Sequence, residues 1–139
     1  LYLAPDLAEM LNNCRKAEYP GREFDLLVPV PLYHVRRRAR GYNQSALLAH
    51  ELGRRIGCRS TPGFLRRIKP TTTQTNLTAP QRLSNVRNAF QSRSEKWLAG
   101  QRVLLVDDVM TTGATVNACA KALKKGGVTS VHVLTVARG

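Results

Sequence analysis

Apolar and polar positions change period several times along the chain, and each change marks an element. Asp6 followed by Glu9, with Leu7, Met10, Leu11 and Cys14 at helical spacing, predicts a short capped helix with one apolar face, ending before Pro20-Gly21. The run Asp25–Pro31 is brief, apolar and closed by prolines that cannot continue ladder pairing, so it reads as a buried strand leading into a loop. Leu32–Gln44 is a cationic loop, after which Leu48, Leu52 and Ile56 fall on one face of a helix that Asn43 or Ser45 would cap and Gly57 would end. A strand is expected near Phe64–Ile68. Lys69–Pro80 is rich in threonine and poor in large apolar residues, and is expected to be mobile until a ligand arrives. Leu83, Val86 and Phe90 then suggest a short helix or a turn into a strand.

The last third carries the clearest pattern. Arg102–Val106 has the composition of a strand buried on both faces, and Val116, Cys119, Ala120 and Leu123 define one face of a helix that ends at Gly126-Gly127. Val131–Val136 is the next strand. Strand, helix and strand with short connections form a βαβ unit, and alternation of such units predicts an α/β fold with a mostly parallel central sheet flanked by helices.

Composition bounds the picture without changing it. A chain of 139 residues, 42% of them hydrophobic, suits one domain over residues 1–139, with 1–23 as an N-terminal helix and connector. The first residue is Leu1 rather than Met, which leads us to expect a longer natural chain. A net charge of +13, with arginines in blocks at Arg36–Arg38 and Arg40, Arg54–Arg55 and Arg66–Arg67, favours polyanionic partners. Cys14, Cys58 and Cys119 are too few and too scattered for a disulfide framework or a metal site, which fits a reducing, cytoplasmic home. No apolar run is long enough to span a membrane as a helix.

The candidate chemistry lies between Val103 and Thr115. Asp107 and Asp108 are placed at the carboxyl end of a buried strand, the edge where open α/β sheets bind ligands. Thr111, Thr112, Gly113, Ala114 and Thr115 then offer successive backbone N–H groups, three hydroxyls and a glycine at the positive end of a helix dipole, which is a phosphate cradle. Carboxylates beside a phosphate seat make sense if they accept hydrogen bonds from sugar hydroxyls and hold Mg²⁺ through water. A ribose 5-phosphate satisfies both halves. Neither the nucleoside-triphosphatase loop G-x-x-x-x-G-K-[ST] nor the dinucleotide fingerprint G-x-G-x-x-G occurs here. His34, His50 and His132 show no spacing that suggests a shared site.

Val103–Thr115 resembles the phosphoribosyl-pyrophosphate motif of the type I phosphoribosyltransferases. Pro29-Val30-Pro31, Arg40-Gly41-Tyr42-Asn43-Gln44, the Gln74, Leu77, Arg82, Asn85 spacing with Ala89-Phe90, and Thr135-Val136-Ala137-Arg138 resemble the competence protein F family, from about Phe24 onward. That family includes bacterial proteins linked to DNA uptake and to use of DNA as nutrient. The resemblance implies a type I phosphoribosyltransferase-like fold with a small hood or flexible loop. It implies that Asp107 and Asp108 bind the ribose hydroxyls, that Thr111–Thr115 bind the 5-phosphate, and that the loop after Val30-Pro31 binds the pyrophosphate, with Mg²⁺ as cofactor. Guanidinium groups of Arg36, Arg37, Arg38 and Arg40 suit a pyrophosphate or a DNA backbone. Tyr42, Asn43, Gln44, Gln74, Arg82 and Asn85 are hood candidates, Tyr42 also as a single stacking residue.

Two departures bear on activity. The 6-oxopurine enzymes carry an acid where Thr111 stands and a lysine where Ala114 stands, so no general base for a purine is present at this point. The competence family commonly has an N-terminal four-cysteine zinc module, which these residues do not supply. Two functions follow, and the sequence leaves both open. One is an enzyme transferring ribose 5-phosphate from phosphoribosyl pyrophosphate in DNA uptake or utilisation. The other is a non-catalytic competence factor that binds single-stranded DNA on the same fold, working with partner proteins of DNA uptake.

Overall fold

A computed structural model of the chain describes residues 3–31, 44–68, 78, 80–81, 88–110 and 113–138; of residues 3–5, 108–110 and 136–138 it describes the backbone. Helix α1 (Leu3–Glu18) leads into strand β1 (Leu26–Pro29), helix α2 (Gln44–Ile56) and a two-residue strand β2 (Arg59–Ser60). Strands β3 (Leu65–Arg67) and β4 (Phe90–Ser92) and a 3-10 turn (Lys96–Leu98) follow. The chain closes with β5 (Arg102–Met110), helix α3 (Ala114–Lys125) and β6 (Ser130–Arg138). The expected parallel sheet is present as β2-β1-β5-β6, every pair parallel, and β3-β4 stand apart as an antiparallel ribbon.

Period-2 alternation divides the core between two faces of the sheet. Leu26, Val28, Val103 and Leu105 pack with Val116, Cys119 and Leu123 of α3 and with Phe64, Leu65 and Phe90 of the ribbon. On the opposite face Leu27, Leu104, Val106 and Leu134 meet Leu48, Ala49 and Leu52 of α2 and Leu11 of α1. β1 and β5 are therefore covered on both sides, which is why their sequences are continuous apolar runs.

The N-terminal helix differs from its expected form. It begins at Leu3, so Asp6 lies inside it rather than capping it, and the buried positions are Ala8 and Leu11 with Leu7 half-buried, while Met10 and Cys14 are exposed. Its C-terminal end is tied to the sheet by Tyr19, whose hydroxyl donates to the carbonyl of Val133 at 2.8 Å. The Tyr19 and Phe24 rings stand edge-on to His132, with centroids at 5.1 and 5.7 Å. Below the sheet, Asp25 accepts from the backbone N–H, Nε and Nη2 of Arg102 at 2.8, 2.9 and 3.0 Å, while its own N–H donates to the Arg102 carbonyl at 2.8 Å. This clamp fixes the starts of β1 and β5 side by side.

Helix α2 contains a glycine for a steric reason. A Cβ at Gly53 would stand 2.5 Å from the carbonyl oxygen of Cys58, so the chain leaving the helix can fold back only because that atom is missing. The expected mobile segment Lys69–Pro80 lies outside the described residues except for Thr78 and Pro80. Thr78 N–H donates to Gln81 Oε1 at 2.8 Å and Gln81 N–H to Thr78 Oγ1 at 3.3 Å, a reciprocal cap opening a helical turn at Pro80.

Candidate functional site at the C-terminal edge of the sheet

β1 and β5 end on the same side because they are parallel neighbours, with Pro29 paired to Val106 and Val30 N–H donating to the Val106 carbonyl at 2.9 Å. Asp107 follows immediately. Its side chain is buried, at 7% exposure, between the register partner Thr135 on β6 and the first turn of α2. There the hydroxyl of Ser45, itself 4% exposed, donates to Asp107 Oδ1 at 3.4 Å. A buried carboxylate is tolerated only where donors compensate its lost hydration, and Ser45 is one such donor.

β5 runs on through Asp108 to Met110, so the two acids lie within the strand rather than at its last residue. The helix beyond starts from Gly113, whose φ of 81° and ψ of −3° place it in the left-handed region that favours glycine. Its carbonyl accepts the N–H of Asn117 at 2.9 Å, the first bond of α3. Ala114 is buried and Thr115 half-buried in that first turn, where helix N–H groups and the positive dipole end favour an anion. The chain leaves β1 at Pro31 and re-enters the described residues at Gln44, the first residue of α2. Both flanks of the cationic segment therefore lie at this same edge.

Of the residues the sequence singled out, Asp107 lies on β5, Gly113 at the cap of α3 with Ala114 and Thr115 in its first turn, and Gln44 opens α2, elements whose ends fall at this edge of the sheet. Asp108 is on the backbone of β5. Thr111, Thr112, Arg36, Arg37, Arg38, Arg40, Tyr42, Asn43, Gln74, Arg82 and Asn85 lie outside the described residues. Ser45 was read only as a cap, yet α2 begins one residue before it and its hydroxyl reaches the acid. The signal was available: Ser45, Leu48 and Leu52 share one helical face, which puts a hydroxyl in an otherwise buried stripe.

The surrounding titratable groups are structural in character. Burial pushes the Cys119 thiol up, with the Asp107 carboxylate adding to the effect and the Arg67 guanidinium opposing it, so Cys119 is no nucleophile. Arg67 lies over the Phe90 ring, its Cζ 4.8 Å from the centroid. Burial also raises the Cys58 thiol. Among the described residues no group of three or more His, Cys, Asp or Glu side chains stands together as a metal site, and no helix is long and apolar enough to cross a membrane.

This fold is that of the type I phosphoribosyltransferases. The chain superimposes on adenine phosphoribosyltransferase from Saccharomyces cerevisiae with a TM-score of 0.66 at 15% identity, covering 99% of this chain and 69% of that one. It matches a glutamine phosphoribosylpyrophosphate amidotransferase from B. subtilis with a TM-score of 0.58 at 23% identity, over 94% of this chain and 25% of that one. The chain belongs to the phosphoribosyl transferase domain family, whose model matches residues 43–139. Its curated relatives include Competence protein F of Haemophilus influenzae, 43% identical over 99% of this chain and 58% of that protein. DNA utilization protein YhgH of Salmonella typhi is 40% identical over 82% of this chain and 49% of that protein. Competence protein ComFC of Bacillus subtilis is 31% identical over 86% and 47%. The resemblance to competence protein F seen in the sequence is therefore carried by named homologues, and the chain spans about half the length of the curated relatives it matches.

Proposed function

We propose that this domain binds phosphoribosyl pyrophosphate or a related ribose 5-phosphate at the C-terminal edge of its sheet, in a protein serving DNA uptake or the use of DNA as nutrient. The observation that carries the reading is the buried Asp107, held by Ser45 on the strand that leads into the N-terminus of α3. Asp107 and Asp108 accept the ribose hydroxyls, residues 111–115 hold the 5-phosphate, and Arg36, Arg37, Arg38 and Arg40 take the pyrophosphate. The acids supply hard oxygen donors, and with Asp107 Oδ1 already accepting from Ser45, Mg²⁺ is best held through the ligand's oxygens and water. Bound in that way, the ion neutralises charge on the pyrophosphate. Catalysis on this reading is transfer at the anomeric carbon, accelerated by positioning and by stabilisation of the departing pyrophosphate's charge. The DNA role rests on the printed names of the relatives. A reducing, cytoplasmic setting accords with three unpaired cysteines.

Calorimetric titration with phosphoribosyl pyrophosphate and Mg²⁺, run beside the Asp107→Asn/Asp108→Asn double variant, tests the pocket. Saturable binding by the wild type alone supports it, and pyrophosphate release on screening bases would then report turnover. Binding by neither protein refutes it.

A second reading is favoured by one observation, the net charge of +13, which exceeds what a small anionic ligand requires. On that reading the domain is a non-catalytic competence factor holding single-stranded DNA by counterion release. Its affinity must then fall steeply with salt, and salt-insensitive DNA binding contradicts it.

A further inference from the structure

Ser45 stands beside the buried acid of the proposed site. It is the second residue of α2, on the buried face with Leu48 and Leu52, and its hydroxyl donates to Asp107 Oδ1 at 3.4 Å with both side chains nearly inaccessible. Resting on the phosphoribosyl reading above, we propose that Ser45 is a positioning residue: its hydroxyl orients the Asp107 carboxylate to accept ribose hydroxyls.

The chemistry follows from the inventory of donors. A hydroxyl can donate to a carboxylate and still accept, so Ser45 restrains rotation of the acid without neutralising it. Its bond, long at 3.4 Å, favours rotamers that keep Oδ1 toward α2, and works alongside the other contacts of Asp107 in leaving Oδ2 to face a ligand. A carboxylate held in one rotamer before the ligand arrives loses less freedom on binding. The surroundings make the restraint effective, because α2 is anchored in the core through Leu48, Ala49 and Leu52, each fully buried.

The test compares the purified chain with Ser45→Ala, Ser45→Thr and Ser45→Cys, using two probes with Mg²⁺: phosphoribosyl pyrophosphate, which has ribose hydroxyls, and inorganic pyrophosphate, which has none. Far-ultraviolet circular dichroism and thermal melting establish that each variant folds. Loss of one long hydrogen bond to a charged group predicts that Ser45→Ala weakens phosphoribosyl pyrophosphate binding by roughly three- to tenfold, with pyrophosphate binding unchanged. Ser45→Thr restores the hydroxyl and most of the affinity, and Ser45→Cys, a weaker donor, falls between. Equal loss for both probes in folded Ser45→Ala, or no loss for either, overturns the proposal. So does a folded Ser45→Thr that recovers nothing. Should Ser45→Ala fail to fold, the ordering of wild type, Thr and Cys variants on the two probes decides alone. A wild type that binds pyrophosphate but not phosphoribosyl pyrophosphate refutes the phosphoribosyl reading itself and Ser45's role with it; wild-type ribose binding that Ser45→Ala leaves intact refutes Ser45's role only.

Discussion

Replacing Gly113 by alanine tests whether the turn into α3 is built for a ligand or is merely where a strand stops. With φ of 81° and ψ of −3°, the position suits glycine, and an L-residue there is disfavoured by about 1–2 kcal/mol. Alanine also narrows the unfolded ensemble, which offsets that by about 0.4–1 kcal/mol. The net expectation is destabilisation of roughly 1 kcal/mol, a fall in melting temperature of about 3 °C for a domain of this size. The alternative to strain is a backbone flip, which would break the bond from Asn117 N–H to the Gly113 carbonyl and turn the first N–H groups of α3 away from an anion. Equilibrium denaturation and calorimetric titration with ribose 5-phosphate separate the two responses. Strain alone lowers stability and spares binding, whereas a flip weakens binding by an order of magnitude or more. Gly113→Asn, which tolerates the left-handed region better, should recover much of the lost stability. An alanine variant as stable as the wild type that binds ribose 5-phosphate equally well would refute the reasoning.

Gly53→Ala should destabilise the domain by about 1–3 kcal/mol in denaturant unfolding, since its Cβ would overlap the Cys58 carbonyl and force α2 away from β1. Stability measured against pH should show two losses on acidification. Burial, reinforced by Arg22 and Lys124, lowers the His132 pKa from its ordinary 6.5, so the unfolded chain takes up the proton first and stability falls as pH drops below that value toward the depressed folded one. The Arg102 hydrogen bonds hold the Asp25 carboxyl below its ordinary 3.8, so that contribution is present above 3.8 and lost as pH falls through the folded value. His132→Phe, which keeps a ring against Tyr19 and Phe24, should remove the first loss and leave the second; a loss unchanged in that variant would assign it elsewhere.

Sequence patterning was most informative where one physical requirement dominates. β5, α3 and β6 were legible because burial on both strand faces demands unbroken apolar residues, and a helix lying on the sheet shows period 3.6. The strands run further than expected, β5 through Asp107–Met110, because ladder pairing with β6 continues past the apolar run. The buried face of α1 differs from the one its spacing predicts because Met10 and Cys14 have the hydropathy of core residues but lie outside, whereas Ala8, small enough to let the helix approach, lies inside. β2 pairs through two residues only, Arg59 and Ser60, too short for any alternation to show. The Asp25–Arg102 clamp joins residues 77 positions apart and has no local signature. At the site, the acids and Gly113 were visible as a motif, while Ser45 required knowing which helix packs over the end of β5.

The placement of Asp107 bears on the reading proposed for this edge of the sheet. Burying a lone carboxylate costs several kcal/mol, and a domain stable by about 5–15 kcal/mol does not absorb that without compensation. In a parallel sheet the crossover helices begin where the strands end, so α2 and α3 both start at the edge where Asp107 sits. Each helix start favours a nearby negative charge by up to about 2 kcal/mol when partly buried, and the Ser45 hydroxyl, at 3.4 Å, adds less than the roughly 1.5–3 kcal/mol of a close hydrogen bond to a charged group. They act alongside the other contacts of Asp107 to keep the acid in place. The same two helix starts favour a phosphate, so a ligand that combines sugar hydroxyls with anionic ends can satisfy acid and helices at once. A ligand with phosphate alone would set its charge against Asp107. On the proposed reading the buried acid disfavours phosphate alone in the seat before α3, and the ribose hydroxyls are what would give it a partner there.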